Sequence, residues 1–156
     1  MIQVDRRHVR ADASRVFACA SDVERWPEWL PHYRWVRFLE RSGEGGLVEM
    51  AAWRPFGPLR FPTRWVSEMR LESSPPAVRY RHVRGVTRGM DVVWAFAADA
   101  SGVAVTITHV WRGPAWPLVG PAAASLVIGP IFIHAIAQLT LAGIARVAEG
   151  RAGAGT

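Results

Sequence analysis

The chain has 156 residues, 50% of them hydrophobic and 21% charged, with a formal net charge of +6. That balance fits one globular domain burying roughly two-thirds of its unfolded surface and excludes a disordered chain. All 19 basic side chains are Arg and Cys19 is the one cysteine, which excludes Schiff-base and P-loop lysines, an internal disulfide and multi-cysteine metal sites.

Weak alternation predicts a first strand over Ile2–Arg10. Ala13–Ala20 (ASRVFACA) has the spacing of a short amphipathic helix, with Val16, Phe17 and Ala20 on one side and Cys19 as packing. Asp22–Val36 (DVERWPEWLPHYRWV) then sets Trp26 and Trp29 around Pro27, adds Pro31, and runs into a strand. Tyr33–Arg41 and Leu47–Arg54 flank a Ser-Gly-Glu-Gly-Gly turn, a hairpin signal. Further strands are predicted over Leu59–Leu71, Val78–Arg84, Met90–Ala98 and Val103–Trp111. Pro62 cannot donate to a ladder, so it calls for an edge position or a bulge. Seven strands with short turns predict an antiparallel meander.

Between Arg112 and Arg146 there is no Asp, Glu, Lys or Arg. By length this is a membrane-span candidate, but Gly-Pro pairs at 120–121 and 129–130 interrupt it, and His134, Gln138 and Thr140 add polar groups. A helix buried on most of its surface is also apolar all round, so a core helix over Leu118–Ala148, restarted at Pro130, is the expectation; contact with a membrane or second subunit is the alternative. The tail from Gly150 (GRAGAGT) is expected to fray. No basic region followed by an apolar stretch opens the chain, so the cytoplasm is the expected location.

Period-two alternation sorts each strand into faces. Phe61, Thr63, Trp65 and Met69 oppose Arg60, Arg64, Glu68 and Arg70; Val78, Tyr80 and His82 oppose Arg79 and Arg81. Met90, Val92, Trp94 and Phe96 share a face, as do Val103, Val105, Ile107, His109 and Trp111, and as do Val48, Met50, Ala52 and Arg54. Turned inward, these faces build an apolar wall with a few convergent polar groups, the usual form of a small-molecule site. Trp65, Met90, Trp94, Phe96, Trp111, Thr63 and Met50 are the candidate ligand contacts, with His134 from the apolar helix. Trp26 and Trp29 are assigned to the hinge. His82 and His109 interrupt apolar faces and suit acid–base chemistry, or are core histidines bonded to backbone carbonyls. Arg54 suits an enolate or carboxylate, or is a strand-end arginine in solvent. The five histidines have no metal-ligand spacing, and no dinucleotide, Walker or nucleophile-elbow motif occurs, so neither metal nor cofactor is expected. Nucleic acid is not expected either, because the strand tryptophans are assigned to the apolar faces and not to the arginine faces.

The order strand, short helix, Trp-Pro hinge, strand resembles the opening of the SRPBCC superfamily (START and Bet v 1-like helix-grip domains), most of all its polyketide cyclase/dehydrase group. The resemblance runs from about residue 2 to 149. It implies an α+β helix-grip domain over 1–149: a curved antiparallel sheet of about seven strands around a long C-terminal helix, with two short helices after strand 1. It also implies a hydrophobic ligand, aromatic, polyketide or lipid-like. In aromatase/cyclase relatives the cavity folds a poly-β-keto chain tethered to an acyl carrier protein, assisted by Arg and Tyr or His side chains; Arg54, Tyr80, His82 and His109 occupy compatible faces. A binding domain, a cofactor-free cyclase/dehydratase and a membrane-associated protein therefore stand as readings, with an acyl carrier protein or a second copy of the chain as possible partners.

Overall fold

The structure, a computed structural model, describes residues 1–113 and 132–150. Seven antiparallel strands form one sheet: β1 (Ile2–Val9), β2 (Tyr33–Arg41), β3 (Gly45–Phe56), β4 (Leu59–Ser73), β5 (Pro76–Arg84), β6 (Asp91–Asp99) and β7 (Gly102–Val110). Their order is β1-β7-β6-β5-β4-β3-β2. The meander accounts for β2 to β7, and β1 closes the far edge against β7. The chain must therefore cross from one sheet edge to the other between β1 and β2. It does so through α1 (Ala13–Ser21), a 3-10 turn at Val23–Arg25 and α2 (Trp26–Trp29). The final helix, α3 (His134–Ala148), lies in the concave face. This is the α+β helix-grip fold expected from the sequence.

Residues paired across antiparallel strands share a face, so the register fixes what the helix sees. One inner row reads Gln3, His109, Val92, Tyr80, Met69; the next reads Asp5, Ile107, Trp94, Val78, Leu71. Toward the other edge His82 pairs with Ser67, Trp65 with Met50, and Tyr33 with Ala52. β3 and β4 outrun their neighbours: their pairing continues to Phe56 and Leu59, whereas β5 first meets β4 at Val66. Pro62 sits in that overhang, where β4 has no β5 partner. It is an edge position inside a central strand, which is how the sheet accommodates its missing N–H.

The hinge and α3 are fastened together. Trp26 Nε1 donates to the Cys19 carbonyl at 3.1 Å, and Arg146 Nη2 donates to the Trp29 carbonyl at 2.5 Å. Gly143 allows the closest approach: a Cβ there would stand 2.0 Å from Leu30 Cδ2. Of the uncharged segment, residues 114–131 lie outside the described part. Among the described residues no helix is long and apolar enough to cross a membrane.

On the outer face, buried Glu49 receives Arg37 at 2.6 Å and has Arg64 at 3.4 Å. Two tryptophans depart from the expected separation of indoles and arginines. Trp35 and Trp53 lie on this outer face, with the Arg34 guanidinium 4.7 Å from each ring and Arg60 5.4 Å from Trp53.

Candidate functional site

Between the sheet and α3 lies a chamber of about 70 Å³. The sheet contributes Met50 and Arg54 from β3, Trp65 from β4, Tyr80 and His82 from β5, Val92 and Trp94 from β6, and Ile107 and His109 from β7. Met90 lines it just ahead of β6, and Trp26 and Tyr33 close it from the hinge side. The helix side is Ile133, Ile136, Ala137 and Thr140, spaced as one helical stripe. A larger concavity, about 810 Å³, crosses β2–β6 and mixes charged side chains such as Glu68, Arg79 and Arg81 with Leu47, Met69 and Val93.

Eight of the twelve expected site residues meet in the chamber: Arg54, Tyr80, His82, His109, Met50, Trp65, Met90 and Trp94. The other four do not line it. Thr63 sits on the β3–β4 overhang opposite Ala52. Phe96 packs edge-on against Phe17 of α1, rings 5.4 Å apart. Trp111 is fully buried beyond the end of β7 and donates Nε1 to the Arg88 carbonyl at 3.1 Å, pinning the β5–β6 turn. His134 lies off the Ile133–Thr140 stripe and bonds Asp5 of β1, Nδ1 to Oδ1 at 2.5 Å. Sequence reasoning missed Tyr33 and Thr140, and gave Trp26 to the hinge alone. The spacing 133, 136, 137, 140 carried the signal for Thr140.

Among the described residues, the polar groups in the chamber are few and several lack protein partners. Arg54 is 8% exposed, no carboxylate pairs with it among the described residues, and its Nε has no hydrogen-bond partner. Its guanidinium lies 5.9 Å from the Trp65 ring and 5.6 Å from the Phe132 ring. Burial lowers its pKa to about 10, so it remains a cation at neutral pH. The Tyr80 hydroxyl is buried without a partner, and burial holds its pKa well above the usual phenol value. His82 Nδ1 is 2.7 Å from the hydroxyl of Thr87, itself buried. Burial, with smaller contributions from His109 and Arg54, lowers His82 to about 3. Burial likewise brings His109 to about 4, with Asp5 pulling the other way, and its Nδ1 has no partner. At the hinge, Thr140 donates to the Ile136 carbonyl at 2.8 Å and therefore accepts from His32 Nε2 at 3.0 Å; burial lowers His32 to about 4.

Chemically this is a largely apolar box holding, among the described residues, one cation, two phenols, one aliphatic hydroxyl and two neutral imidazoles. An imidazole with a pKa of 3 to 4 is a weak base at neutral pH, where the best acid–base catalysts titrate near the working pH. The same groups are good hydrogen-bond partners for oxygen atoms on an apolar ligand.

The family described as polyketide cyclase / dehydrase and lipid transport matches residues 9–130. No curated protein matches the chain. Among solved structures, the Zhui aromatase/cyclase from Streptomyces sp. R1128 superposes with a TM-score of 0.82 at 18% identity, covering 100% of this chain and 99% of that one. The di-domain ARO/CYC BexL from the BE-7585A biosynthetic pathway gives 0.81 at 18% identity, covering 97% of this chain and 51% of that one. A START superfamily protein from Mycobacterium smegmatis gives 0.65 at 15% identity, covering 96% and 94%. At these identities the likeness is one of fold.

Proposed function

This chain belongs to the polyketide cyclase/dehydrase and lipid transport family, within the START/Bet v 1-like superfamily, and on that premise we propose that it binds a hydrophobic, oxygen-bearing small molecule in the chamber between its sheet and α3, as a non-catalytic binding domain. The observation that supports this most is Arg54, a buried cation with no carboxylate partner among the described residues, on a largely apolar wall. A buried charge left unpaired is costly; an acceptor on a ligand, such as a ketone, enolate or carboxylate, would satisfy it. Tyr80 offers a second polar contact nearby. Small-molecule pockets typically span roughly 300–1,000 Å³, so the chamber of about 70 Å³ must widen to admit such a ligand. Met50 and Met90, unbranched and adaptable, suit a wall that repacks.

A cyclase/dehydratase is the second reading. It is favoured by the position of Arg54, where a cation in a water-poor site stabilises developing enolate charge. It needs His82 or His109 to move protons, which their depressed pKa values oppose until a bound anion raises them. In this reading an acidic acyl carrier protein docks on the arginine-bearing outer face, with affinity that falls as salt rises.

Native mass spectrometry with organic extraction, on protein purified without detergent, tests the first reading. A co-purified aromatic, polyketide or lipid supports it. If neither that experiment nor titration with hydroxy-naphthoic and fatty acids detects binding, the reading is wrong. On an accepted substrate, turnover that survives His82→Ala with His109→Ala removes the proposed proton chemistry.

A further inference from the structure

Asp5 is the least expected residue in the inner face. It is a carboxylate on a strand facing the core, and only 1% of it is exposed. One oxygen is saturated by the helix: Oδ1 accepts from His134 Nδ1 at 2.5 Å and from Gln138 Nε2 at 2.8 Å. The other, Oδ2, is buried without a partner among the described residues. On the neighbouring strand a second buried polar atom, His109 Nδ1, is in the same state. The register relates the two. Gln3 pairs with His109 and Asp5 with Ile107, so Asp5 and His109 are diagonal neighbours on one face. Such neighbours stand about 7–8 Å apart, within reach of long side chains, and one water spans two polar atoms at about 2.8 Å from each.

A carboxylate only accepts hydrogen bonds, and its field favours the neutral imidazole tautomer whose N–H points toward it. Resting on the chamber reading above, we propose that Asp5 is a positioning residue for His109, holding the Nδ1–H tautomer through one bridging water. His109 then presents Nε2 to the chamber as an acceptor, and the ligand subsite at this end takes a hydroxyl or phenol that donates. The opposite end, at Arg54, takes an acceptor. The chamber is thus polarised along its length and selects ligands carrying an oxygen acceptor at one end and a hydroxyl donor at the other. The electrostatics agree: Asp5 acts on His109 against the effects of burial and of Arg54, and His109 is neutral at pH 7, so its tautomer is a defined quantity.

The test has two readouts at neutral pH: the His109 tautomer, from long-range nitrogen–proton NMR correlations, and equilibrium binding of phenol and toluene. In the wild type we expect Nδ1–H, and phenol bound about fivefold more tightly than toluene, the size of one ordinary buried hydrogen bond. Asp5→Asn, which keeps an acceptor for His134 and Gln138, should release the tautomer and erase the phenol preference. An Nε2–H tautomer in the wild type overturns the inference, as does a phenol preference that survives Asp5→Asn. The wild-type tautomer decides even if the variant fails to fold. Binding of neither probe removes the chamber reading, while the tautomer still decides the relation of Asp5 to His109.

Discussion

The imidazole of His82 lies over the indole of Trp65, ring centroids 6.0 Å apart and planes 20° from parallel. Thr87 fixes the same ring from the side through Nδ1, so His82 is held in two directions at once. Thr87→Val keeps the side-chain shape and removes the hydroxyl, leaving a buried nitrogen unpaired at a cost of about 1–3 kcal/mol. Thermal unfolding should fall by about 2–4 °C for each kcal/mol in a domain of this size. An unchanged midpoint would show that the Thr87 bond contributes nothing to the fold.

Acid should destabilise this protein through its buried histidines. Burial lowers His82 to about 3, and His109 and His32 to about 4, from an ordinary value of 6.5. Below about pH 6.5 the unfolded chain takes up these protons while the folded chain does not, so stability present at pH 7 is lost as the pH falls toward 4. At pH 5 the loss is about 2 kcal/mol each for His82 and His109. Urea midpoints at pH 7 and pH 5 measure it, and His109→Gln should shrink the difference by its own share. Equal midpoints at the two pH values would contradict the burial of these rings.

Arg54→Met should separate stability from binding. It keeps side-chain length but removes a buried cation with no carboxylate partner among the described residues, so the variant should be as stable as the wild type or more so, by about 1 kcal/mol. Affinity for a carboxylate-bearing aromatic should drop tenfold or more, since bonds to charged groups are worth about 1.5–3 kcal/mol. Calorimetry with naphthoic acid and naphthalene in parallel gives the comparison. Loss of affinity for both compounds alike would mean that Arg54 shapes the wall and does not recognise the acid.

Gly143→Ala sets two effects against each other. In a helix interior Ala is favoured over Gly by about 1 kcal/mol, but here its Cβ meets fully buried Leu30. Overpacking of that kind costs about 1–3 kcal/mol, so the substitution should be destabilising on balance. On a Leu30→Ala background the clash is gone and the same change should become neutral or stabilising, a coupling that a double-mutant cycle measures. Independent effects at the two positions would mean that the helix and hinge are not in contact.

The strands were legible because half-buried sheets alternate: the faces carrying Tyr80–His82, Val92–Trp94 and Ile107–His109 follow from period two alone. Alternation assigns a face, however, and not a position along the strand. Phe96 lies on the right face in the middle of β6 but under α1, whose Phe17 covers it, and Trp111 lies past the end of β7, where it holds the β5–β6 turn. The helix was harder to read. With no charged residue between Arg112 and Arg146 to mark a wet side, its orientation could be taken only from the spacing of Ile133, Ile136, Ala137 and Thr140. His134, one residue off that stripe, is rotated toward β1. The partner that turns it there, Asp5, gives no signal in a strand whose alternation is weak.

The overhang of β3 and β4 bears on how the chamber admits anything at all. Among the described residues these two strands pair beyond Trp53 and Trp65 only with each other, so this ribbon is the part of the wall that bends with the fewest broken ladder bonds. Arg54 is mounted at its root. Flexing the ribbon outward enlarges the space beneath it and swings the guanidinium in the same stroke. On the binding reading proposed above, the ribbon that would make room for a ligand also carries the guanidinium that would meet its oxygen.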